Sequence, residues 1–186
     1  MLPALVIGHL KRIVVLRLGH RRKRDPRVTT HVALAARAFG AEEMFFSGDQ
    51  DPQLIKTIHK AVANWGGDFS VKYIKRWKPF LLDWKSRGKL VHLTMYGADA
   101  CDVLEEIRSM NTDLLVVVGG QKVPGELYGL ADWNISVTNQ PHSEVSALAV
   151  FLHMLNKGNE RNRKFPGARI TVVPNPRGKK VIVKES

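Results

Sequence analysis

Three short stretches of this 186-residue chain combine residue types that can hold a ligand or act on one. The first, Gly19-His-Arg-Arg-Lys-Arg-Asp-Pro-Arg27, gathers five basic side chains, one histidine and one aspartate. A loop of this composition can grip phosphate and ribose through charge-assisted hydrogen bonds, and a solvated run of charge has the same composition. The second, Gly119-Gly-Gln-Lys-Val-Pro124, places paired glycines where backbone amides and carbonyls can approach a ligand, with a proline stiffening the exit. It matches neither the phosphate loop GxxxxGK[ST] nor the dinucleotide turn GxGxxG, so by spacing alone a cofactor site and a simple tight turn both stay open. The third, Val137-Thr-Asn-Gln-Pro-His-Ser-Glu144, is a polar loop that reads either as ligand-binding or as a helix start capped by Ser143.

The elements around these stretches decide where they can sit. Ile13 to Leu18 is a buried-strand signal, and Thr29 to Phe39 then carries Val32, Ala35, Ala36 and Phe39 at helical spacing. Glu43 to Ser47 reads as a second strand. Asp51-Pro52 opens a helix with the stripe Leu54, Ile55, Ile58, Ala61, Val62 and Trp65, which Gly66-Gly67 ends. Strands are predicted over Phe69 to Ile74, Lys89 to Thr94, Asp113 to Val118 and Trp133 to Val137, and helices over Pro79 to Ser86, Asp99 to Met110 and Ser143 to Leu155. Asp113 to Val118 is the most sheet-central of these strands. The alternation predicts an α/β fold, a mostly parallel sheet with helices on both faces, whose ligands bind beyond the carboxyl ends of strands. All three chemistry-bearing stretches follow a strand. Residues 12–156 make this domain. Residues 157–186 are read as a linker, Asn156 to Pro166, and a basic β-hairpin of Ile170 to Pro174 and Lys179 to Lys184 around Asn175-Pro-Arg-Gly178.

Charge narrows the function. Lys plus Arg is 29 against 17 for Asp plus Glu, a net +12, and the excess sits at the two ends. Residues 1–37 hold nine basic and one acidic residue, and residues 157–186 nine basic and two acidic, so the stretch between is slightly negative. Two basic ends on an ordinary core suit a nucleic-acid partner. No apolar run approaches the roughly 20 residues that cross a bilayer. Met1 to Ile7 is too short for a secretory core, and a single cysteine, Cys101, forms neither an intramolecular disulfide nor a thiolate metal site, so a reducing cytoplasm is expected. Cys101 reads as a small buried residue. Trp65, Trp77, Trp84 and Trp133 read as packing residues, and Glu42, Glu43, Glu105 and Glu106 lack the histidine partners of a metal site. Neither a metal nor a membrane is expected.

In this order the stretches resemble one family. Gly119-Gly-Gln-Lys-Val-Pro124 followed by Ile135-Ser-Val-Thr-Asn-Gln-Pro-His-Ser-Glu-Val-Ser-Ala-Leu-Ala149 is similar to the second and third motifs of the SPOUT RNA methyltransferases. Residues 16–41, from Leu16-Arg-Leu-Gly-His to Phe-Gly-Ala41, resemble the archaeal tRNA (cytidine-56) 2′-O-methyltransferase branch, and the hairpin fits that branch too. The resemblance implies a deep trefoil knot, tRNA as substrate, a homodimer built on Ser143 to Leu155, and S-adenosyl-L-methionine as methyl donor. The cofactor loops it implies are Leu93, Thr94, Met95 and Tyr96; Gly119, Gly120, Gln121, Lys122 and Val123; and Val137, Thr138, Asn139, Gln140, Pro141, His142, Ser143 and Glu144.

Methyl transfer to a ribose oxygen needs placement of donor and acceptor and removal of the hydroxyl proton. Related ribose-methylating enzymes carry an Asn-five-residues-Arg pattern, whose positions are held here by Val28 and Leu34. Arg17, Arg24 and Arg27 are the candidates that remain for the catalytic arginine, with Asp25 able to orient one of them through a bidentate pair. His20 and His31 are alternatives with ordinary values nearer neutral pH. Two rival readings stay open at this point: a SPOUT enzyme acting on another nucleotide or a base nitrogen, and a non-catalytic basic RNA-binding protein.

Overall fold

Six strands join in one sheet whose centre is apolar and buried on both faces. The computed structural model describes residues 12–24, 26–120 and 123–184. In chain order the elements are β1 Ile13–His20, α1 Pro26–Ala38, β2 Glu43–Gly48, α2 Pro52–Trp65, β3 Ser70–Tyr73, α3 Trp77–Trp84, β4 Gly88–Asp99, α4 Ala100–Ser109, β5 Asp113–Gly119, α5 Glu126–Leu130, β6 Trp133–Ser136, α6 Glu144–Leu155, β7 Ile170–Val172 and β8 Val181–Val183, with a 3₁₀ turn over Asn159–Asn162. The sheet runs β3-β2-β1-β5-β4-β6, and every ladder in it is parallel. Leu114 to Val118 of β5 are all buried at its centre, paired from Ile13 with Leu114 through Leu18 with Gly119 on β1.

Period-two alternation sends side chains to two cores. Val15, Val116 and Val118 pack with Val32, Ile58, Leu104 and Phe151 beneath α1, α2, α4 and α6, whereas Val14, Leu16, Leu115 and Val117 pack with Leu81, Trp84 and Leu127 of α3 and α5. The two-faced α/β architecture read from the sequence is the one observed.

Several local expectations need correction. β4 continues past Thr94 to Asp99, and α3 begins at Trp77, because Pro79 falls within its first turn where a missing N–H costs nothing. α5 escapes sequence reading: it is five residues long and includes Gly129. Cys101 is exposed, since it sits one turn face away from the buried Ala100, Leu104 and Ile107 of α4. Trp84 is buried, but Trp65, at the last position of α2, is 38% exposed.

The segment expected to be a linker is docked. Arg163 Nη1 donates to the Gly40 carbonyl at 2.6 Å, the Arg37 guanidinium lies 4.4 Å over the Phe165 ring, and the backbone amides of Gly67 and Arg169 donate to Pro166 and Asn64. Gly66 makes this possible: it has φ +74°, and a Cβ there would stand 2.6 Å from three backbone atoms of residues 165–168. Beyond it β7 and β8 pair antiparallel, with most of their side chains exposed. Among the described residues no helix is long and apolar enough to cross a membrane, and no cluster of three or more His, Cys, Asp or Glu is placed to hold a metal.

Candidate functional site

The site begins with an irregularity in β4. Its ladder with β6 pairs Leu93 with Ile135, then pairs Ala98 with the same Ile135. Residues 94–97 are therefore pushed out of the ladder as a bulge, the usual means by which a strand re-aims side chains beside a site. Gly97 makes the return, because a Cβ at this position would lie 2.5 Å from the Asn134 carbonyl oxygen. Asn139, in the loop after β6, holds the bulge by donating from Nδ2 to the Met95 carbonyl at 2.7 Å and to Ser136 Oγ at 3.2 Å.

This bulge, the end of β5 and the start of α6 enclose a cavity of about 640 Å³, within the range of small-molecule and cofactor sites. Leu93, Thr94, Met95 and Tyr96 line it from β4; Gly119, Gly120 and Val123 from the loop after β5; Pro141, His142, Ser143 and Glu144 from the start of α6. These three groups are the ones singled out in the sequence. Four others of the set stand away from the cavity: Val137 packs into the core, Thr138 and Gln140 are exposed, and Asn139 braces the bulge. Gln121 and Lys122 lie outside the described residues. Ser143 also caps α6, accepting from the Ser146 amide at 3.2 Å, so the capping reading and the lining reading hold together.

One wall was invisible in the sequence. His92, 1% exposed, sits two residues before the bulge and lines the cavity. Its Nδ1 lies 2.8 Å from Asn134 Oδ1, and its ring meets the Tyr128 ring edge-on at 4.9 Å. Asn134 Nδ2 donates to the Tyr128 carbonyl at 2.9 Å, and Tyr128 Oη is 3.1 Å from Thr94 Oγ1. Burial pulls the His92 pKa below its ordinary value against the Asn134 hydrogen bond, which raises it. A polar residue inside the apolar run Leu90-Val-His-Leu93 is the signal that could have found it.

Of the arginine candidates the structure sets one against residues that line the cavity. Arg17 is 1% exposed and its Nη2 donates to Glu144 Oε1 at 2.9 Å; a Cβ on Gly120 would come within 3.9 Å of the same nitrogen. Arg24 and Arg27 are exposed beyond β1 and do not line the cavity, and Asp25 lies outside the described residues. His20 is closed off from solvent. Its Nε2 faces Asp51 Oδ2 at 3.3 Å and its Nδ1 accepts from Thr29 Oγ1 at 2.7 Å, while Asp51 Oδ1 caps α2 through the Leu54 amide. Burial is the largest influence on His20 and lowers its pKa. With the Arg22 amide donating to Asp49 at 2.9 Å, this cluster pins the root of the basic loop. His31 is exposed on α1.

Solved RNA-modifying enzymes share this fold. The A. aeolicus TrmH/SpoU tRNA modifying enzyme matches with a TM-score of 0.58 at 15% identity, covering 83% of this chain and 79% of that one. The SpoU methyltransferase AviRb from Streptomyces viridochromogenes, solved in complex with AdoMet, matches with a TM-score of 0.58 at 13% identity over 81% of this chain and 57% of its own. The fold is thus that of the SpoU/TrmH class, a likeness of architecture at these identities. Sequence narrows the class: the family described as tRNA ribose 2′-O-methyltransferase, aTrm56, matches residues 65–182. The tRNA (cytidine(56)-2′-O)-methyltransferase of Methanothermobacter thermautotrophicus is 55% identical over 168 residues, 90% of this chain and 94% of that protein. Its counterpart from Thermococcus kodakarensis is 49% identical over 175 residues, 92% of this chain and 97% of that protein. The chain belongs to the aTrm56 family of tRNA ribose 2′-O-methyltransferases.

Proposed function

We propose that this protein transfers the methyl group of S-adenosyl-L-methionine to the ribose 2′-hydroxyl of cytidine 56 in the TΨC loop of tRNA. The observation that carries the reading is the cavity itself: loops from β4, β5 and α6, distant in sequence, converge on one cofactor-sized space in a chain of this family. The residues present fit such a ligand. Leu93, Val123 and Ala147 supply apolar wall, and the glycine pair after β5 leaves backbone accessible. When bound, the cofactor supplies a methyl group on a sulfonium, an electrophile that needs no metal.

The chain's own contribution is placement and charge. Arg17, paired with Glu144, keeps a fixed cation behind residues that line the cavity, and a guanidinium is a poor proton acceptor. Arg24, on the exposed loop beyond β1, and Arg27, in the first turn of α1, orient tRNA phosphate and ribose, and they remain the candidates that meet the hydroxyl as its proton leaves. We read residues 12–156 as the catalytic unit, threaded as the deep trefoil knot of the SPOUT enzymes, and the docked tail with its hairpin as a tRNA grip. A homodimer through α6 completes the reading; Val150, 43% exposed on that helix, supports it.

The test is nucleoside analysis of unmodified tRNA incubated with methyl-labelled cofactor. The expected product is 2′-O-methylcytidine at position 56, lost in Arg24→Ala or Arg27→Ala if either arginine is essential. Label on a base nitrogen would overturn the ribose assignment. A monomer by light scattering would remove the dimer.

A further inference from the structure

The polar wall of the cavity contains a group that the described residues leave without a partner. His92 Nδ1 faces Asn134 Oδ1, and that amide cannot be turned round, because its Nδ2 is committed as donor to the Tyr128 carbonyl. An amide oxygen only accepts, so Nδ1 carries the ring proton. Nε2 is then a bare lone pair. It is fully buried and has no hydrogen-bond partner among the described residues, yet the residue lines the cavity. Buried polar atoms are almost always paired, and one left unpaired in a residue that lines a cavity calls for a donor from the cavity's occupant. The ring stands edge-on to Tyr128, whose hydroxyl is paired with Thr94 on the bulge.

We infer that His92 is a cofactor-binding residue whose Nε2 accepts a hydrogen bond from an N–H or O–H group of the molecule in this cavity. On the reading proposed above, on which this inference rests, that molecule is S-adenosyl-L-methionine. It offers such donors on both halves: the adenine amine and ribose hydroxyls of the nucleoside, and the ammonium of the amino acid. The Thr94–Tyr128–Asn134–His92 chain then joins the bulge to the ligand, so that α5 is part of the binding site.

Two measurements test this. In calorimetric titration with S-adenosylhomocysteine, His92→Phe, which keeps a planar ring and removes the acceptor, should bind about tenfold more weakly than the wild type, a loss typical of one hydrogen bond left unmade. In nitrogen NMR of the intact wild type, the Nε2 resonance of His92 should move when S-adenosylhomocysteine is added, a readout independent of how any variant folds. Repeating the titration with 5′-methylthioadenosine locates the donor: a parallel loss puts it on the nucleoside, and an unchanged affinity puts it on the amino acid. Wild-type affinity in His92→Phe, or an unmoved Nε2 resonance at saturation, overturns the inference while leaving the cavity reading in place. A wild type that does not bind S-adenosylhomocysteine overturns the cavity reading itself.

Discussion

Arg17 is the residue whose type and place conflict most sharply. Its neighbours along β1 are buried aliphatics, and a guanidinium among them is tolerated because Glu144 supplies a carboxylate at 2.9 Å from the first turn of α6, where negative charge also suits the helix end. Removing the Glu144 carboxylate takes away one partner of this buried charge. Glu144→Gln should therefore lower stability by as much as roughly 3 kcal/mol, and a second change, Arg17→Met, should restore part of it. Urea denaturation of the two single variants and the double variant measures the coupling, and strict additivity would remove the pair as a structural link. A pH effect belongs to the same scale. His20 and His92 both have lowered pKa values in the fold, so the unfolded chain binds protons first as pH drops. Their contribution is complete above about 6.5 and is lost as pH falls from there through their folded values. Glu43 adds a later loss. Burial raises its pKa, but hydrogen bonds from Lys72 and Ser70 and the charges of Lys72 and Arg12 outweigh this and bring it below 4.5. Melting temperature followed from pH 8 to pH 5 should fall, and His20→Gln should flatten the profile; a wild-type profile level across that range would contradict both assignments.

The element that makes the site is the β4 bulge, and Asn139 is its strut. The residue is exposed and its amide reaches two carbonyls and a hydroxyl, so Asn139→Ala should cost about 1 kcal/mol of stability or less, while cofactor affinity drops about two- to tenfold as residues 94–97 lose their anchor. Titration together with thermal melting separates these; equal affinity in the variant would assign Asn139 a purely local role. Elements of this kind mark the border of what sequence shows. β5 was legible as an unbroken aliphatic run and β1 as one that only Arg17 interrupts, α2 from Asp51-Pro52, and α6 from Ser143, because each signal lies within one turn or one strand of the residue it positions. The bulge was not, since it depends on Asn139 meeting Met95 across 44 positions of chain. The His92 wall needs α5, whose pattern Gly129 interrupts. The docked tail needs the close approach of Gly66 to residues 165–168. Two of the loops that line the cavity were found through their glycines, proline and order, and Leu93 to Tyr96 only through the family resemblance, while the residues that hold those loops in shape were not found.

At the scale of the molecule, charge and anchorage act together. The net +12 is concentrated toward the ends of the chain, and the C-terminal share rides on a segment fixed to α1 and α2 through Arg163, Phe165 and Arg169. A cation on a docked ribbon meets a phosphate at less entropic cost than one on a free tail. Arg177, Lys179 and Lys180 lie between or beside the paired strands, all exposed. If they grip tRNA, each phosphate contact contributes through released counterions, and the logarithm of the binding constant falls with the logarithm of salt concentration in proportion to the number of contacts. Lys179→Ala with Lys180→Ala should then weaken tRNA binding at low salt and reduce that slope by about 2, with S-adenosylhomocysteine affinity unchanged because neither residue belongs to the cavity wall. Gly66→Val separates charge from anchorage: every cation is retained, but the docking of residues 165–168 is blocked. Filter binding across a salt series should show this variant with weaker tRNA affinity at every concentration and a slope near that of the wild type. A slope that falls in Gly66→Val as far as in the lysine variant would mean that anchorage sets the number of contacts; unchanged affinity in both would place the RNA grip elsewhere, on the loop beyond β1.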